Sequence, residues 1–165
     1  MTTATSSDER DIYQLDKLME ETRSLAGKYR AGTGQTLPVS HDLACYDAMR
    51  LLGLSEPESQ EAGVDAIKVT GNTIEKYHIK GRVQFSDVRV KQQRIGQLNL
   101  NADWQVVVLV LLDDDYMPTS ILSCSHEAVA EVLGDKPTNK RGAMTVAQFR
   151  RIADCAWQSD TETSE

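Results

Sequence analysis

The stretch from Gly63 to Arg82 constrains the fold of this chain more than any other. It runs Gly-Val-Asp-Ala-Ile-Lys-Val-Thr, then Gly-Asn, then Thr-Ile-Glu-Lys-Tyr-His-Ile-Lys-Gly-Arg. Two runs rich in β-branched residues on either side of Gly-X mark a β-hairpin, because Gly71 can supply the positive φ of a type II′ turn. With Gly71-Asn72 as the loop, Thr70 faces Thr73, Val69 faces Ile74 and Asp65 faces His78. Alternation along a strand puts Lys80 on the face of His78, and Ile67 and Val69 continue that face from the other strand. A carboxylate, an imidazole and an ammonium are thereby predicted to meet at the open end of the hairpin. Such a group can hold a divalent cation, with the ammonium orienting or stabilising a metal-activated water. The same residues also suit a plain cross-strand ion pair between Asp65 and Lys80 at a solvated sheet end, with His78 beside it.

Asp65, followed one strand later by Ile79-Lys-Gly-Arg82, resembles the PD-(D/E)XK nuclease superfamily. More narrowly, it is similar to an uncharacterised group of small, mainly bacterial proteins with a Gly-Tyr-Asp-Ala…Gln-Ile-Lys-Gly-Arg signature. The resemblance runs from about Ser40 to Trp157. It implies a restriction-endonuclease-like fold, Asp65 as a ligand of magnesium, and Lys80 beside the attacking water. His78 stands where the superfamily has Glu or Gln. Imidazole is a softer ligand than carboxylate, so the expected cation shifts from magnesium toward manganese or another transition metal, or activity is lost. The acid often carried by the family's first core helix maps to Asp42, with Asp47 the next candidate. The implied metal set is therefore Asp65, His78 and Asp42.

The net charge of −7 speaks against a polyanionic partner, but its distribution does not. Lys76, Lys80, Arg82, Arg89, Lys91 and Arg94 stand against Glu75 and Asp87, and Lys136, Lys140, Arg141, Arg150 and Arg151 against no acid. Local potential, not net charge, attracts phosphate. Arg82, Lys140, Arg141 and Arg150 are the candidate nucleic-acid contacts, and a merely solvated surface is the other reading.

At 165 residues and 40% hydrophobic content, the chain suits one domain with its own core. No apolar run approaches the ~20 residues of a membrane helix, and the N-terminus lacks a signal pattern, so no membrane partner is expected. Cys45, Cys124 and Cys155 fit neither a zinc spacing nor a disulfide framework. Each reads as a small buried hydrophobe, and the compartment as a reducing cytoplasm.

In chain order, residues 1–7 read as a disordered tail and 8–157 as a single domain. An N-terminal amphipathic helix spans 8–30, and the core spans 40–157. Positions 12, 15, 19, 22, 26 and 29 of the first helix fit a heptad, which makes a homodimer conceivable. Ser40 can cap a second helix over His41–Leu52, stopped by Gly53. Gln105–Leu112 reads as a strand buried on both faces. Asp113-Asp-Asp-Tyr-Met-Pro118 reads as a turn rather than a metal site. A strand at 119–123 follows, then a helix capped by Ser125 with His126 on its surface. Thr145-Val-Ala-Gln148 is a capping box opening a last helix whose face is Val146, Phe149, Ile152, Ala153 and Trp157. Residues 158–165 read as an acidic tail. The order predicts an α/β (α+β) fold, a central mixed sheet of about four to five strands flanked by helices, with the N-terminal helix added.

Three functions follow. The first is a metal-dependent nuclease acting on phosphodiester bonds, DNA foremost, with Asp65, His78 and Lys80 at the centre. The second is a catalytically degenerate module of the same fold that binds nucleic acid or a protein, in a restriction or anti-phage system. The third is an interaction domain working through its N-terminal helix.

Overall fold

The computed structural model describes residues 5–88, 93–134 and 144–160, with side chains from residue 14 onward. Its elements are α1 (Thr5–Thr33), α2 (Ser40–Leu52), β1 (Ala66–Thr70), β2 (Thr73–Val83), β3 (Val106–Leu112), β4 (Pro118–Ser125), α3 (His126–Leu133), α4 (Val146–Ile152) and β5 (Asp154–Gln158). The strands form one mixed sheet in the order β1-β2-β3-β4-β5, with β2 and β3 parallel and the other neighbours antiparallel. The architecture is α+β, a five-stranded mixed sheet flanked by helices with an N-terminal helix added.

The Gly-Asn turn sets the register of the first two strands. Thr70 pairs with Thr73, Val69 with Ile74 and Ala66 with Tyr77. Gly71 takes φ 60° while Asn72 stays out of the left-handed region, as a type II′ turn requires. β3 lies at the centre of the sheet and is buried on both faces, from Val107 to Leu112. Its side chains alternate between two cores. Val108 and Val110 join Ile79, Leu43 and Ala44 beneath α2, whereas Val107, Leu109 and Leu111 join Trp104, Val129 and Phe149 on the other side.

The contact between α2 and β2 depends on one missing side chain. A Cβ at Gly81 would lie 2.5 Å from Ala44 Cβ and 2.9 Å from the Ser40 carbonyl oxygen. The helix can therefore rest directly on the strand, and this brings its first turn over the open end of the hairpin. Gly81→Ala is expected to cost about 1–3 kcal/mol through overpacking, read as a lower urea midpoint. An unchanged midpoint would mean that α2 does not seat there.

Several expectations are corrected. The last helix ends at Ile152 rather than Trp157, and residues 154–158 form β5 against β4. Positions 146, 149, 152, 153 and 157 mimic a helical stripe, but the strand satisfies the ladder groups that β4 would otherwise expose. Residues 5–7, read as tail, belong to α1, and residues 1–4 lie outside the described residues. Ser40 is the first residue of α2 and Val39 its N-cap, with no side-chain capping bond. Of the cysteines, Cys124 is buried, Cys45 half-buried and Cys155 exposed. The Asp113–Pro118 segment is a turn, with Asp113 Oδ1 accepting from the amides of Asp115 at 2.9 Å and Met117 at 3.0 Å. The Thr145–Gln148 capping box is present. Along α1 the inward face carries Arg23 and Ala26, while Leu15, Leu18 and Leu25 are exposed.

Candidate functional site

Asp65 lies immediately before β1, where the β1–β2 ladder runs out. Its amide donates to Tyr77 O at 2.8 Å, and its Oδ2 accepts from Ile79 N at 2.8 Å, standing in for a missing strand carbonyl. Burial pushes the Asp65 carboxyl up, but His78, the Ile79 amide and His41 together outweigh it and hold the group below the usual carboxylate range. Asp65 is thus an anion at neutral pH, with Oδ2 engaged and Oδ1 turned the other way.

His78 Nδ1 lies 3.1 Å from Asp65 Oδ2, which confirms the predicted facing pair. The approach is off the line of a directed hydrogen bond, and both ring nitrogens are buried without a well-formed partner among the described residues. The ring stacks on Trp104, with centroids 5.8 Å apart and planes at 25°. Trp104 is itself fixed by donating Nε1–H to Asn99 O at 2.8 Å. His126 also packs on Trp104, 4.6 Å away between centroids and with Nε2 2.7 Å from Leu100 O. His126 is therefore a half-buried wall of this stack rather than the surface residue expected.

Lys80 follows His78 along β2 at the spacing that keeps both on one face. Its ammonium is half-buried and makes no hydrogen bond or ion pair among the described residues. Burial lowers its pKa first and the Arg82 guanidinium lowers it further, while Asp65 pulls it back. No partner reaches it as the Glu61 and Asp103 carboxylates reach Lys76, at 2.9 and 2.8 Å. Asp65, His78 and Lys80 are thus brought together as the hairpin register demands, but the Asp65–Lys80 contact is Coulombic and not a closed ion pair.

The opposite side of Asp65 carries residues that the hairpin pattern did not suggest. His41 and Cys45 are four apart on α2 and share one helix face. His41 Nε2 lies 3.7 Å from Asp65 Oδ1 and 3.6 Å from Cys45 Sγ. One ligand atom from each of the three lies within 4.8 Å of the others. Burial, with the Asp65 and Asp42 carboxylates nearby, pushes the Cys45 thiol up to about 12. Asp42 is exposed and stands outside this group, near enough to Cys45 to act on its charge but not gathered with Asp65. Asp47 is wholly buried and ion-paired to Arg23, so it holds helices together instead of facing the site. The His-x-x-x-Cys spacing was the available signal for the α2 residues. Nothing local in the sequence says that this face looks at Asp65.

The expected phosphate contacts fare unevenly. Arg82 spends its guanidinium on the carbonyls of Arg94 and Gly81, both at 2.6 Å, and so pins the 93–96 segment across β2. Arg150 and Arg151 are exposed on α4. Lys140 and Arg141 lie outside the described residues, as do Arg89, Lys91 and Lys136. Beside Asp65 opens a cleft of about 700 Å³ with Glu56, Glu58 and Glu61 on its walls, a side from which a polyanion is repelled. Among the described residues no helix is long and apolar enough to cross a membrane. No protein-family model matches the chain, and no curated protein matches it.

Proposed function

We propose that the protein is a metal-dependent, nuclease-like hydrolase of nucleic-acid phosphodiester bonds, with DNA as the first substrate to test. One observation carries this reading. The ionised Asp65 and the half-buried Lys80 ammonium, unpartnered among the described residues, flank His78 at one end of the hairpin. A divalent cation suits the donor set, because Asp65 Oδ1 is not taken up by the backbone and faces His41. When bound, such a cation supplies Lewis-acid polarisation and an acidified water. The protein's own residues do the rest. His78 and the Ile79 amide hold Asp65 in its ionised, oriented form. Lys80 offers an uncompensated positive charge to the oxygens of a phosphodiester, where charge builds up as the phosphorus becomes five-coordinate. The three cysteines are free, which suits a reducing cytoplasm.

A second reading is favoured by particular contacts. His78, in place of an acid, is held between Asp65 and Trp104, and Arg82 is consumed internally. Both suit a module that binds nucleic acid or a protein without cutting, in a restriction or anti-phage system. The exposed Leu15, Leu18 and Leu25 of α1 would serve a homodimer or a partner helix.

One experiment separates these readings. Plasmid and single-stranded DNA are incubated with the protein under magnesium, manganese and zinc, beside Asp65→Ala. Cutting that needs a metal and is lost in the variant is the expected result. Salt-sensitive binding without cutting in any metal would replace the enzyme by the module, and neither would leave the helix-mediated interaction.

A further inference from the structure

We propose that His41, Cys45 and Asp65 form a binding site for one zinc-class transition-metal ion, with His78 acting on Asp65 from outside that set. The inference deepens the hydrolase reading by naming its metal, and rests on it only in sharing Asp65. Two of the ligands come from one helix at i and i+4, and the third from the hairpin that the helix covers through Gly81.

Two of the three donor separations match a small tetrahedral ion, and the third is within 4.8 Å. Zinc–sulfur, zinc–nitrogen and zinc–oxygen bonds of ~2.0–2.3 Å at tetrahedral angles place their donor atoms about 3.4–3.6 Å apart. The imidazole lies 3.6 Å from the thiol sulfur and 3.7 Å from the carboxylate oxygen, so little movement is needed. A thiol among the donors excludes magnesium and calcium as preferred occupants, since both take oxygen ligands.

The surroundings resemble those of a ligand set more than a chance meeting. Asp65 presents Oδ1 to the site while Ile79 N, at 2.8 Å, fixes Oδ2 from behind, with His78 Nδ1 close beside it at 3.1 Å. This is the outer support that orients a metal-binding carboxylate. The His41 side chain is 59% exposed, so the group opens to solvent. Three protein donors facing water leave a fourth position for a water or a substrate oxygen, the pattern of reactive rather than structural zinc sites.

The test measures the metal directly. The full chain, freed of metal by chelation, is titrated with cobalt(II) as a spectroscopic probe and then with zinc. One equivalent is expected to bind, with a thiolate-to-cobalt charge-transfer band that zinc abolishes and excess magnesium does not. Cys45→Ser is expected to remove the band, and His41→Asn to weaken zinc by about 100-fold or more, since even outer-sphere losses cost 10- to 100-fold. His41 is exposed, so its variant keeps the fold, checked by circular dichroism. Cys155→Ser is expected to leave the band intact. A band lost with Cys155 and retained without Cys45, or no stoichiometric binding to the folded chain, would overturn the site. Zinc held through Cys45 in a protein that cuts nothing would uphold the site while removing the hydrolase reading. Magnesium-dependent cutting that survives Cys45→Ser, with no stoichiometric cobalt or zinc bound by the parent, would do the reverse.

Discussion

Replacing Arg23 with methionine is expected to cost the fold about 3–5 kcal/mol at neutral pH, read as a large drop in the urea midpoint. Arg23 is 7% exposed, pairs with the wholly buried Asp47 of α2, and donates to the carbonyl of Tyr116 in the β3–β4 turn. One guanidinium therefore ties α1 to α2 and to the far end of the sheet. Removing it strands a carboxylate whose only other cation among the described residues is Arg50, 3.5 Å away and half-exposed. Burial already raises the Asp47 carboxyl above its usual range, with Arg23 and Arg50 pulling it back. A group that titrates higher folded than unfolded binds protons the unfolded chain lacks, so it lowers stability as pH rises. The Arg23→Met variant should thus regain stability on acidification toward about pH 4, where an unfolded Asp begins to protonate. The double change Arg23→Met with Asp47→Leu should recover most of the loss at neutral pH, because an apolar pair avoids desolvating two charges. If the single variant matches the parent, the pair does not organise the helical layer.

The hairpin was legible in the sequence because a two-residue glycine turn leaves one register, and register decides which side chains meet. Asp65 opposite His78 follows from arithmetic on the chain alone. The buried β3 showed itself in an unbroken Val/Leu run, and the aspartate-rich turn in its own short side chains. β5 was hidden for a different reason. Its helical-looking stripe continues past Ile152, and only the neighbouring edge of β4 decides that Asp154–Gln158 should extend. Pairing with a distant strand is not a local property.

The site divides along the same line. The half contributed by the hairpin could be read, since all of it lies within one supersecondary unit. His41 and Cys45 could not be assigned to Asp65, because their approach depends on how α2 seats over Gly81. Asp42, chosen for its charge near a helix start, is one residue from His41 yet faces solvent. A rotation of about 100° per residue around the helix separates a ligand from a bystander. Arg82 shows the converse, since a guanidinium marked for phosphate is engaged by two carbonyls of its own chain.

Lys80→Met is expected to reduce any phosphodiester cleavage by about 100- to 1,000-fold, the loss typical of removing one preorganised charge from a transition state. The same change should leave the urea midpoint unchanged or raise it. Lys80 makes no hydrogen bond or ion pair among the described residues, and burial together with Arg82 holds its pKa below the ordinary lysine range. A lysine that titrates lower folded than unfolded binds fewer protons in the native state, so the parent gains stability as pH rises through that window. The methionine variant, having no such group, should lack this alkaline gain, and urea curves recorded across the alkaline range would show it. The opposing signs distinguish function from architecture. A residue that merely braced the sheet would lower stability and activity together, whereas a charge held ready for a phosphate burdens the fold until its ligand arrives. A destabilised Lys80→Met variant that still cleaves DNA at the parent rate would remove Lys80 from the chemistry.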